Sequence, residues 1–181
     1  MSKNINKKTL AARIIIWSLF LLWLCVIFYF SAQQKNDSDK QTLFVIDVLN
    51  RIFGLNLSQG ETVSGFGILK TVDFLIRKSA HFTEYFILGI LSFLAFRDIS
   101  DRFKKSAVIR PVIASVFCLL YAASDEIHQY FVPGRACKAK DVLIDFSGSV
   151  AAVLICLLIC AVRNRTKLRR EKISDGKQDE S

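Results

Sequence analysis

The chain has 181 residues, of which 52% are hydrophobic, with a mean hydropathy of +0.35 and a formal charge of +9. A soluble domain of this size cannot bury so much apolar surface, so the composition predicts a membrane protein that crosses the bilayer several times. The basic excess flanks apolar runs, and no Gly-rich phosphate loop, zinc-finger spacing or basic-aromatic repeat accompanies it, so nucleic-acid binding is excluded.

Residues 1–13 form a short basic segment with Lys3, Lys7, Lys8 and Arg13. Residues 14–30 are then apolar or small without interruption and predict a first span. A cleaved signal peptide is the competing reading, but Phe30-Ser31-Ala32 puts an aromatic where cleavage wants a small residue. The connection 31–80 is mixed. Val45, Val48, Leu49 and Ile52 follow helical spacing with Asp47, Asn50 and Arg51 opposite, and Val72, Leu75 and Ile76 repeat the pattern. Gly54 and the stretch from Gly60 to Gly67 read as turns between them. Two short amphipathic helices in the first extracytoplasmic connection and an ordinary loop with some packing both remain open.

Further spans are expected at about 81–96, 111–130 and 142–162, with a tight Val132-Pro133-Gly134-Arg135 loop between the last two. Residues 163–181 read as a basic, polar tail, chiefly a solvated anchor with anionic lipid as a second contact. The fold class expected is therefore all-α, with four transmembrane helices. Sixteen Lys and Arg lie in the N-terminus, the 97–110 connection and the tail, against nine in the other two connections. The positive-inside rule puts both termini in the cytoplasm. Four cysteines lie in apolar runs and Cys137 in a polar loop. Cys156 and Cys160, one helical turn apart, read as small packing residues rather than a metal pair, and no disulfide framework exists.

Ionisable residues shorten three of the spans. Only 12 residues separate Glu84 from Arg97, 14 separate Arg110 from Asp125 and 17 separate Asp145 from Arg163. At 1.5 Å per residue these cover roughly 18, 21 and 26 Å, less than the roughly 30 Å of a hydrocarbon core. Glu84, Asp125 and Asp145 are thereby drawn below the outer interface, where a carboxylate needs partners. By helical spacing Lys78, His81, Glu84 and Tyr85 share a face, Asp125 aligns with His128 and Gln129, and Glu126 aligns with Gln129 and Tyr130. Asp141 and Asp145 continue into Gly148 and Ala152, a small-xxx-small pattern that lets helices approach closely. The bland alternative is a polar plug in which Lys78 and Arg135 neutralise the carboxylates, but the cost of intramembrane charge favours function.

The segments Phe30-Ser31-Ala32-Gln33, Arg77-Lys78-Ser79-Ala80-His81-Phe82-Thr83-Glu84-Tyr85, Asp125-Glu126-Ile127-His128-Gln129, Pro133-Gly134-Arg135 and Asp141-Val142-Leu143-Ile144-Asp145 occur in this order. Together, over roughly residues 14–162, they resemble the VanZ-like family of small bacterial membrane proteins. The resemblance implies motif positions at His81, Glu84, Asp125, Glu126, His128, Gln129, Arg135, Asp141 and Asp145. It also implies a role at the outer face of the bacterial cytoplasmic membrane, because the family's namesake lowers sensitivity to the lipoglycopeptide teicoplanin.

Three functions are weighed. In the first, Lys78, Arg135 and the surrounding polar residues bind an anionic, lipid-linked headgroup such as a cell-wall precursor, or alter how a lipoglycopeptide docks. In the second, a membrane-embedded enzyme uses His81 with Glu84, or His128 with Asp125, for acid-base chemistry on a lipid-linked substrate, with Glu126 a further candidate. A proton-coupled transporter ranks last. No metal or other cofactor is expected, since nothing resembles a His-Glu-x-x-His site.

Overall fold

A computed structural model of the chain describes residues 7–33, 44, 46–48, 51, 52, 54, 63–97, 106–133 and 138–178. Four helices carry the fold: α1 (Lys7–Ser31), α2 (Val63–Ala95), α3 (Ser106–Tyr130) and α4 (Ala139–Gln178). Among the described residues there is no strand. Within three of the helices, the stretches Leu10–Ser31, Ala107–Tyr130 and Ala139–Arg170 are long and apolar enough to cross a membrane. The second helix has the length, at 33 residues. Its composition falls short because Arg77, Lys78, His81 and Glu84 precede the apolar stretch 85–96.

Side-chain contacts fix the topology. Trp17 and Phe20 pack on Phe96 while Trp23 donates to the Glu84 carbonyl, so α1 and α2 are antiparallel. Phe20 meets Phe117, Tyr121 donates to the Leu24 carbonyl and Phe28 stacks on His128, so α1 and α3 are parallel. Lys78 pairs with Asp141 and Gly89 abuts Ala152, so α2 and α4 are parallel. The result is an up-down-up-down bundle. Both α2 and α3 pack on all three others, the α2–α4 contact being the most extensive, whereas α1 and α4 do not touch among the described residues.

The packing is inverted relative to a water-soluble bundle. Ala114, Cys118 and Ala122 of α3 face inward at successive i, i+4 positions, followed by Asp125, Glu126 and Gln129. Val112, Val116, Leu120 and Ile127 of the same helix face outward, as do Ile14, Leu21 and Leu22 of α1 and Leu154, Ile155 and Leu158 of α4. Lipid chains satisfy these outward side chains, and the small inward residues of α3 and α4 let backbones come together. A Cβ on Gly148 would run into the Phe82 carbonyl, and one on Gly89 would sit 2.7 Å from the Ser149 carbonyl oxygen. The small-xxx-small pattern read from Gly148 and Ala152 is thus half of a close α2–α4 seam, with Gly89 the matching half.

At one end of the bundle, edge-to-face contacts among Trp17, Phe20, Phe96 and Phe117 join α1, α2 and α3 at centroid distances of 5.3–5.9 Å. There Arg110 lies 3.7 Å over the Phe93 ring, and its Nε donates to the Phe93 carbonyl at 2.6 Å. A cation thereby covers the carbonyl-rich C-terminus of α2. The ionisable residues gather at the opposite end.

The 31–80 connection departs from expectation. Val72, Leu75 and Ile76 lie in α2 itself, which begins at Val63, so the second short helix is continuous with the second predicted span. Gly65 and Gly67 are helical, not part of a turn, because glycine's propensity cost of about 1 kcal/mol is easily outweighed by context. Gly60 lies outside the described residues. Gly54, at φ +64°, does sit where a turn was expected. Helical residues recur at Phe44, Ile46, Asp47, Val48, Arg51 and Ile52, with Ile46 buried, Ile52 exposed and Asp47 paired to Arg51 at 2.9 Å. Val45, Leu49 and Asn50 lie outside the described residues. The helix α4 runs unbroken to Gln178, so most of the basic stretch 163–181 is helical.

Candidate functional site

Each ionisable residue reaches the polar end through a local feature of its helix. Lys78, His81 and Glu84 occupy one face of α2 at i, i+3 spacing. The Lys78 ammonium pairs with Asp141 at 2.5 Å, in the first turn of α4. Both side chains are largely shielded, 19% and 16% exposed, so the pair clamps α2 to α4 more firmly than a surface pair would. Removing one partner of a shielded pair strands the other's charge. Lys78→Met should therefore cost about 3 kcal/mol, and a double variant that also carries Asp141→Leu should recover most of it. Thermal unfolding in micelles checks this.

Next to that clamp, the His81 Nδ1 lies 3.6 Å from Asp145 Oδ1 and 3.9 Å from Glu84 Oε2. Asp145 is 0% exposed, and neither of its oxygens has a hydrogen-bond partner among the described residues. On α3, Asp125 accepts from the Gln129 Nε2 at 3.2 Å, one turn along, and both are buried. Glu126, 1% exposed, reaches across to the start of α4, where its Oε2 accepts the Lys138 N–H at 2.8 Å. That N–H immediately precedes the helix, so the carboxylate meets an otherwise unpaired donor and the positive end of the helix dipole. The other oxygen, Oε1, is buried without a hydrogen-bond partner among the described residues. Asp145 lies within electrostatic reach of Glu84, Asp125, Glu126 and Asp141, so all five carboxylates belong to one cluster.

Nine of the ten residues singled out from the sequence lie among the described residues. Eight of them, Lys78, His81, Glu84, Asp125, Glu126, Gln129, Asp141 and Asp145, gather at this end between α2, α3 and α4. His128 does not join Asp125 as its spacing suggested. Its ring stacks on Phe28 of α1 at 4.5 Å, and its Nε2 is buried without a hydrogen-bond partner among the described residues. Arg135, with Gly134 and Cys137, lies outside the described residues. One residue was underrated. Tyr85 is 0% exposed, its hydroxyl has no hydrogen-bond partner among the described residues, and Asp125, Asp145 and Glu84 are within its electrostatic reach. The signal was present, because Tyr85 follows Lys78 and His81 at i+7 and i+4. Trp23, donating its Nε1–H to the Glu84 carbonyl at 2.9 Å, carried no such signal within an apolar run. Among the described residues, no three His, Cys, Asp or Glu side chains converge closely enough to hold a metal ion.

Helices of membrane-crossing length, an apolar outer face and ionisable residues within define an α-helical membrane protein with a carboxylate-rich cluster sunk into one end of its bundle. Residues 16–160 match the family model described as VanZ/LLP1, and the chain belongs to that family. No curated protein and no solved structure matches the chain.

Proposed function

We propose that the chain crosses the bacterial cytoplasmic membrane four times, with both termini in the cytoplasm, and binds a lipid-linked envelope component at its outer edge. The excess of basic residues on the connections at the Arg110 end supports this orientation. With α2 packed against α1, α3 and α4, its polar first half would line the site and residues 85–96 would complete a short span. The observation that carries the reading is the set of buried, unpartnered polar atoms at the cluster's floor: both Asp145 oxygens, Glu126 Oε1 and the Tyr85 hydroxyl. Such groups burden a purely structural core, whereas a ligand that pairs with them turns the burden into binding energy. Above them, Lys78, His81, Glu84 and Asp141 stay partly exposed and give a headgroup access.

Family membership extends the proposal to lowered sensitivity to teicoplanin-type lipoglycopeptides, whose site of action is the outer face. A sensitive Gram-positive strain expressing the protein should lose teicoplanin sensitivity while vancomycin sensitivity stays unchanged. Glu126→Gln, at equal membrane abundance, should abolish the effect. Unchanged susceptibility despite good expression would remove the resistance role, and equal activity of the variant would remove the cluster from it.

The position of His81 favours one second reading. An imidazole whose Nδ1 faces Asp145 and Glu84 at 3.6 and 3.9 Å is placed to trade a proton with a substrate. On that reading a membrane-embedded enzyme acts on the same lipid-linked component. His81→Gln would then stop turnover while binding survives, whereas a binding protein would show no turnover to lose.

A further inference from the structure

We infer that the outer-edge site takes the primary ammonium of an envelope lipid, in preference to a purely anionic headgroup. The inference rests on the proposed reading of that site as a headgroup-binding site and gives its charge selectivity. Five carboxylates, Glu84, Asp125, Glu126, Asp141 and Asp145, share the cluster. The one lysine in it is already paired with Asp141. Arg77 precedes His81 by four residues and Glu84 by seven, so it shares their face of α2 and counts among the cations here. Lys138 and Lys140 are exposed, and Lys138 contributes its backbone N–H. Among the described residues, the five carboxylates outnumber Lys78, Arg77 and the two histidines even with both histidines protonated. A phosphate entering the site would meet repulsion strengthened by the low surrounding dielectric, and an ammonium would meet attraction.

The unpartnered atoms make the same choice independently of charge. Asp145 Oδ1 and Oδ2 and Glu126 Oε1 are acceptors, and the Tyr85 hydroxyl both accepts and donates. An ammonium brings three donors and no acceptor, which complements that set. A divalent metal also seeks oxygen ligands, but it needs them converging at about 2.0–2.6 Å, which the described carboxylates do not do. An ammonium tolerates the longer spacing of separate hydrogen bonds. The lipid itself is indicated by the position of the site, sunk into one end of a bundle whose outer face is apolar.

The full-length protein in detergent micelles tests this. Trp23 is hydrogen-bonded to the Glu84 backbone, so in a Trp17→Phe variant its fluorescence reports on the site. Native mass spectrometry of the unaltered chain reads the same competition without a fluorophore. The probes are short-chain phosphatidylethanolamine, its N-acetylated form, short-chain phosphatidylglycerol and glycerophosphoethanolamine. The amine-bearing lipid should bind tighter than the N-acetylated and glycerol lipids by about tenfold or more. Asp145→Asn and Glu126→Gln, each checked for helicity by circular dichroism, should erase that preference. Equal binding of amine-bearing and N-acetylated lipid would overturn the ammonium inference while leaving a headgroup site in place. Equal binding of glycerophosphoethanolamine would overturn the lipid as its source. Binding abolished by a metal chelator would overturn it in favour of a bridging cation. No binding of any lipid would overturn the headgroup site itself.

Discussion

Replacing Gly148 with alanine should lower the stability of the bundle by about 3 kcal/mol, the upper end of what overpacking by a small group costs. The added methyl would meet the backbone of Phe82, which cannot rotate away as a side chain can. The two helices must part, and with them the Lys78–Asp141 pair and the approach of His81 to Asp145. Leu154→Ala is the control, since Leu154 faces outward and is 58% exposed. In a water-soluble core, removing three carbons would outweigh adding one. Here the order should reverse, because lipid contacts Leu154 whether or not the helices are associated. Thermal unfolding in micelles, followed by tryptophan fluorescence, gives both values. A larger loss for Leu154→Ala would mean that the outward face is covered by protein.

Asp145→Leu should act in the opposite direction on stability and abolish ligand binding. The wild-type carboxylate is fully buried, with the His81 Nδ1 3.6 Å from its Oδ1. Taking a charge out of water costs several kcal/mol, and one imidazole at that distance returns only part of it. An apolar side chain of similar volume avoids the cost and should stabilise the protein by about 1–2 kcal/mol. A residue that weakens the fold and yet carries binding is a functional site maintained at the expense of stability. A stabilised variant that no longer binds headgroup is the expected result. A destabilised variant would instead make Asp145 the anchor of a polar plug.

The helical class and three long apolar helices were legible because uninterrupted apolar runs leave few alternatives. The ends of α1 at Ser31 and α3 at Tyr130 agree with the expected spans to within a residue. The start of α2 was not legible. Gly65 and Gly67 carry the local signature of a turn, and only the surrounding chain makes them helical. Within the site, spacing along one helix placed Lys78, His81 and Glu84 together correctly. Spacing cannot say how a helix is rotated against its neighbours. Asp125 and His128 share a face by periodicity, yet the imidazole turns to Phe28 on α1 and the carboxylate to Gln129. Partners supplied from another helix, such as Trp23 for Glu84 and Gly89 for Ala152, are likewise written into packing and not into local pattern.

The inverted packing bears on how the protein responds to temperature. In a soluble domain, unfolding hydrates apolar surface and raises the heat capacity by about 12–15 cal/mol/K per residue, which bends the stability curve and weakens the fold in the cold. When these helices separate within a bilayer, Leu21, Leu120, Leu154 and their neighbours exchange little or no lipid for water. The heat-capacity increment of helix separation is then close to nil, the stability curve is nearly straight, and cooling only tightens the bundle.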